Sequence, residues 1–66
     1  MMRYWFVMFG TMSREVELDL WRQIEPYNSN MTVLFDRILV YGSGDDSVVR
    51  IVGDLLAGTG LPVERR

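Results

Sequence analysis

The stretch Met1-Met2-Arg3-Tyr4-Trp5-Phe6-Val7-Met8-Phe9 places four of the chain's eight aromatic residues in nine positions. Its density of aromatic and β-branched side chains predicts a strand over residues 3–9. Successive side chains of a strand point to opposite faces. Tyr4, Phe6 and Met8 therefore share one face, and Trp5, Val7 and Phe9 share the other. Both faces are apolar, which predicts cover on both sides, as in the middle of a sheet or at a subunit interface. Core, interface and membrane contact are the three roles open to such a run. A membrane span takes about 20 apolar residues, and this run stops at Gly10-Thr11 with no small-residue cleavage site after it. The expectation is a cytoplasmic chain without membrane contact.

Working outward, the 66 residues are expected to form one domain, residues 1–66. A domain of about 60 residues buries only about 60% of the surface its unfolded chain exposes, so chains of this size often add a disulfide, a metal or a partner subunit. The sequence has no cysteine and no histidine, so disulfides and the commonest transition-metal ligands are absent from it. Oligomerisation or an unusually good core is what remains. With 48% hydrophobic and 24% charged residues the composition is that of a folded domain. The net charge of −2 argues against nucleic acid as a partner, because that binding rests largely on neutralising phosphates.

Gly10, Pro26, Asn28-Ser29-Asn30, Gly42-Ser43-Gly44 and Gly58-Thr59-Gly60 divide the chain. Between them, residues 13–25 read two ways. As a helix, Met12, Val16, Leu20 and Ile24 fall four apart with Trp21 alongside, Thr11 or Ser13 caps the start and Pro26 stops the end. As a strand, residues 15–20 alternate cleanly. The helix is the preferred reading, and Leu18 arbitrates: exposed in the helix, buried in the strand. Residues 32–41 are also ambiguous. Their β-branched and aromatic content favours a strand, although Met31, Leu34, Phe35, Ile38 and Leu39 also fit a helical stripe. Residues 45–57 predict a helix with Val48, Ile51, Val52, Leu55 and Leu56 as its apolar face, and Asp46, Arg50 and Asp54 on the other side. Residues 61–64 suit a short edge strand. The resulting expectation is an α/β or α+β domain in β-α-β-α-β order, with two helices packed on a small three-stranded sheet.

The residue types narrow the chemistry. Without His, Cys or Lys there is no ordinary nucleophile–base pair, Schiff base or P-loop lysine. Acid–base work would fall to Asp, Glu or Tyr, and Glu15, Glu17, Asp19, Asp45, Asp46 and Asp54 have simpler roles on helix faces and at a helix N-terminus. No catalytic residue, metal or cofactor is assigned.

The segment Ile38-Leu39-Val40-Tyr41-Gly42-Ser43-Gly44-Asp45-Asp46-Ser47 reads as strand, G-x-G-x-x-S, helix, with Glu64 twenty residues after Gly44. Over residues 38–65 this resembles the dinucleotide-binding fingerprint. The resemblance implies a phosphate-binding loop at Gly42, Ser43, Gly44 and Ser47. Ser47 stands in place of the third glycine, and Asp45 and Asp46 put negative charge where phosphates would sit.

The functional expectation is a non-enzymatic protein–protein interaction or regulatory module, homo-oligomeric with a dimer favoured, of the kind a phage or mobile element uses as a small inhibitor. A protein partner is expected. Interface candidates are Tyr4, Trp5, Phe6, Val7, Met8, Phe9 and Trp21. The alternatives are a nucleotide or phosphate binder at the glycine-rich segment, and a nucleic-acid binder stacking bases on exposed sheet aromatics beside Arg3.

Overall fold

The aromatic run forms β1 (Met2–Phe9), an eight-residue strand with partners on both edges. A computed structural model describes residues 2–66; Met1 lies outside the described residues. After β1 come α1 (Arg14–Ile24), a single 3-10 turn (Glu25–Tyr27), β2 (Ser29–Val33), β3 (Arg37–Gly44), α2 (Asp46–Ala57) and β4 (Val63–Arg65). The sheet is antiparallel throughout, in the order β2-β3-β1-β4. The class is α+β, as anticipated, but the sheet has four strands rather than three and the order is β-α-β-β-α-β. Each helix connects two strands that flank a third, which is the split β-α-β, or ferredoxin-like, arrangement.

The added strand comes from the region around residues 32–41. One strand was expected there; the chain instead makes the β2–β3 hairpin, with Val33 opposite Ile38. Its tip is Phe35-Asp36, closed by a hydrogen bond from the Leu34 amide to the Arg37 carbonyl at 2.8 Å. Neither tip residue has positive φ, so the turn needs no glycine or asparagine. Nothing in the local composition marks it.

Residues 14–24 are helical. Ser13 Oγ accepts from the Val16 amide at 3.2 Å, Pro26 follows the last turn, and Leu18 is exposed, as the helical reading requires. The i,i+3 pairs Arg14–Glu17 and Asp19–Arg22 form at 3.5 and 3.8 Å. Helix α2 begins at an Asp45 cap, whose Oδ1 accepts from the Val48 amide at 3.0 Å. Its buried line is Val49, Val52 and Leu56, with Val48 and Leu55 beside it and Ile51 exposed. The apolar face is thus centred nearer Val49 than the hydrophobic pattern suggested. Gly53 lets it approach β1: a Cβ there would lie 3.3 Å from Phe6 Cζ.

Both helices lie on one face of the sheet. Tyr4, Phe6, Met8, Ile38 and Val40 from the strands enclose a core with Leu20, Ile24, Val49, Val52 and Leu56. Among the described residues no helix lies on the opposite sheet face.

Candidate functional site: the open sheet face

The alternation of β1 divides the opening run. Tyr4, Phe6 and Met8 point under the helices and are buried. Trp5, Val7 and Phe9 point to the open face. Cross-strand partners share a face, so Ser43, Tyr41, Leu39 and Arg37 of β3 stand beside Arg3, Trp5, Val7 and Phe9. Asn30 and Thr32 of β2 extend the surface on one side, and Glu64 of β4 on the other. Of the interface candidates, three are therefore helix-side core, three lie on the open face, and Trp21 is half-buried on the flank of α1 beside β2.

Trp5 and Tyr41 form the centre of this surface. Their rings stack at 4.6 Å between centroids and 22° between planes, and Trp5 remains 45% exposed. Thr32 Oγ1 lies 3.4 Å from the Tyr41 hydroxyl. Val7 is buried even without a helix above it, in register between Leu39 of β3 and Glu64 of β4. Arg37 Cζ sits 5.9 Å from the Phe9 ring centroid, within cation–π range. The surface is thus an aromatic and aliphatic strip edged by arginines.

Charge is segregated between the two sides. Arg3, Arg37 and Arg66 belong to the open side, against Asp36 and Glu64, a balance of +1; the other four Arg and seven acids leave −3 elsewhere, which together make the chain's −2. Two of the three arginines are paired: Arg37 Nε donates to Asp36 Oδ1, and Arg66 Nε forms an ion pair with Glu64 Oε1, both at 3.2 Å. Hydrogen bonding to Arg37 holds the Asp36 carboxyl below its ordinary range, and the same contact raises Arg37. Among the described residues Arg3 has no ion pair. It borders a shallow depression of about 300 Å³ with Trp5, Tyr41, Gly42 and Ser43.

The glycine-rich segment lies elsewhere in the architecture than its spacing suggested. Gly42, Ser43 and Gly44 are ladder residues at the end of β3, opposite Tyr4, Arg3 and Met2. They are strand, not loop. A Cβ on Gly42 would meet the Asn28 carbonyl and stand 2.8 Å from the Tyr4 hydroxyl; on Gly44 it would meet Val48 at 2.6 Å. These glycines permit close packing. Asp45 already takes the Val48 amide, and Ser47 is an exposed residue in the first turn of α2.

Sequence reasoning did not find Leu39 and Tyr41 as part of the surface. The period-two pattern of residues 37–43, with Ile38 and Val40 on one side and Leu39 and Tyr41 on the other, carried that information. Only the pairing of β3 with β1 shows that Tyr41 meets Trp5. Among the described residues no helix is long and apolar enough to cross a membrane. Comparison with known protein families, curated proteins and solved structures found no match.

Proposed function

We propose that the chain is a non-enzymatic interaction module that docks a partner protein on its open sheet face. The observation that supports this reading most directly is the exposed Trp5–Tyr41 stack at the centre of an uncovered apolar strip. Aromatic residues and arginine are enriched where proteins bind proteins, with apolar groups central and charge at the rim. The strip has that layout: Trp5, Tyr41 and Leu39 in the middle, Arg3, Arg37 and Arg66 outside. The complementary partner surface is apolar with an acidic border. Arg3, which has no ion pair among the described residues, is the residue suited to a partner carboxylate.

Single-stranded nucleic acid is the second reading, favoured by Arg3 next to an exposed tryptophan on a four-stranded antiparallel sheet. It is weaker, because the two rings stack on one another and two of the three arginines already hold carboxylates.

The test compares the wild-type chain with Trp5→Glu and Arg3→Glu, both outside the helix-side core. A photo-reactive residue at position 41 should cross-link a discrete protein in the native host, and either substitution should abolish the adduct. An unchanged adduct in both variants would refute docking on this face. Binding of a labelled single-stranded oligonucleotide at low salt, lost in the same variants, would transfer the site to the nucleic-acid reading.

A further inference from the structure

We propose that two copies of the chain associate about a two-fold axis through the free edge of β2, joining their sheets into one and packing α1 against its symmetry mate. The inference does not depend on what docks on the open face. It starts from the two edges of the sheet. β4 is three residues long and carries Glu64 and Arg65, the short charged form by which proteins protect an edge. β2, Ser29-Asn30-Met31-Thr32-Val33, has no charge and no proline. It is the edge left able to pair.

The flank above that edge is apolar. Leu18 and Trp21 of α1, with Met31 and Val33 of β2, line a depression of about 280 Å³ that also includes Arg14 and Glu17. Leu18 and Val33 are 38% and 44% exposed. At 100° per residue, the side of α1 turned toward this edge presents Arg14, Leu18 and Trp21 in one stripe, which Glu25, the helix's C-cap residue, continues. The helix runs against β2, so a two-fold axis that pairs β2 with itself antiparallel also sets α1 antiparallel to its mate.

The second copy is chosen as occupant by self-complementarity of the stripe. An axis beside Met31 pairs Ser29 with Val33 and Asn30 with Thr32 of the other copy. A rise of about 3.3 Å per strand residue against 1.5 Å per helix residue places Met31 level with the middle of α1. There the same axis sets Leu18 against Trp21 and Arg14 against Glu25 of the mate: apolar on apolar, cation on anion, twice by symmetry. The dimer would present two open faces side by side on one continuous surface.

Sedimentation equilibrium tests the proposal. The wild-type chain is expected to have the mass of two copies. Leu18→Glu, at an exposed position, should weaken association about tenfold or more while the circular dichroism of the fold is kept. R14E and E25R should each weaken the dimer, the R14E/E25R double variant should regain it, and an equimolar mixture of the single variants should form the heterodimer. That rescue remains informative if Leu18→Glu fails to fold. A monomeric wild-type chain, a dimer indifferent to all of these changes, or a double variant no tighter than its parents would overturn the proposal. So would a dimer that Trp5→Glu alone dissociates, which would assign the interface to the open face and not to the edge.

Discussion

The hydroxyl of the buried Tyr4 is hydrogen-bonded to the Ser29 hydroxyl of β2, and it lies 3.4 Å from the Tyr27 carbonyl. The contact ties the end of the first crossover to the central strand. Among the described residues no buried side-chain polar atom lacks a partner. Tyr4→Phe keeps the ring and deletes the oxygen, leaving Ser29 buried with an unmet group. The expected loss is about 1–3 kcal/mol, read as a lower urea midpoint with unchanged slope. Tyr4→Phe/Ser29→Ala should cost less than the sum of the singles, because each single change strands the same partner.

Gly42 sits where a side chain has no room. An added Cβ would meet the backbone carbonyl of Asn28, and a backbone atom cannot rotate aside. Asn28 itself is fixed in the left-handed region at φ 57°. Gly42→Ala is therefore expected to cost about 3 kcal/mol, at the upper end of overpacking changes. Loss of amide protection in β2 before β1 in hydrogen exchange would locate the damage at this crossing.

The Trp5–Tyr41 stack should be visible as coupling. Stacked aromatic pairs contribute about 0.5–1.5 kcal/mol beyond simple burial. A double-mutant cycle with Trp5→Ala and Tyr41→Ala should return an interaction energy in that range. A coupling near zero would mean that the rings do not hold one another in solution. Neither single change removes a helix-side core contact, so both variants should stay folded.

Asp36 and Arg37 give a pH signature. The guanidinium donates to both carboxylate oxygens, at 3.2 and 3.3 Å. The Asp36 carboxyl is depressed in the folded chain, chiefly through that hydrogen bonding. A depressed acid stabilises the fold above its unfolded value, about pH 3.9, and that contribution fades as pH falls through the lower folded value. The pair is solvent-exposed, so its effect on stability is small. Carboxyl chemical-shift titration is the sensitive readout: Asp36 should titrate below an ordinary aspartate in the wild type, and Arg37→Gln should return it upward.

Most elements were legible in the sequence where neighbours along the chain carry the signal. Residues 3–9 read as a strand because aromatic and β-branched side chains are dense there. Residues 13–25 read as helix or strand, with the helix preferred because apolar residues recur at its spacing between a serine or threonine cap and Pro26; the structure decides for the helix, with Leu18 exposed as that reading demands. The β2–β3 hairpin was not legible. Its tip, Phe35-Asp36, turns without glycine, proline or positive φ, and Phe35 is 91% exposed despite being apolar. Gly42-Ser43-Gly44 misled in the opposite sense: the residues suggest a loop, but here the missing side chains let strands and a helix approach closely.

By itself the sequence determined that the opening run is a strand apolar on both sides, that residues 45–57 form an amphipathic helix able to cover it, and that histidine, cysteine and lysine chemistry is absent. These are properties of residue type and of spacing within a few positions. Only the tertiary structure decided which face is covered. Both helices return to the side of Tyr4, Phe6 and Met8, and the pairing of β1 with β3 sets Trp5 beside Tyr41 on the uncovered side. Local periodicity names the two faces of a strand, whereas long-range pairing and the side taken by each crossover determine what lies against them.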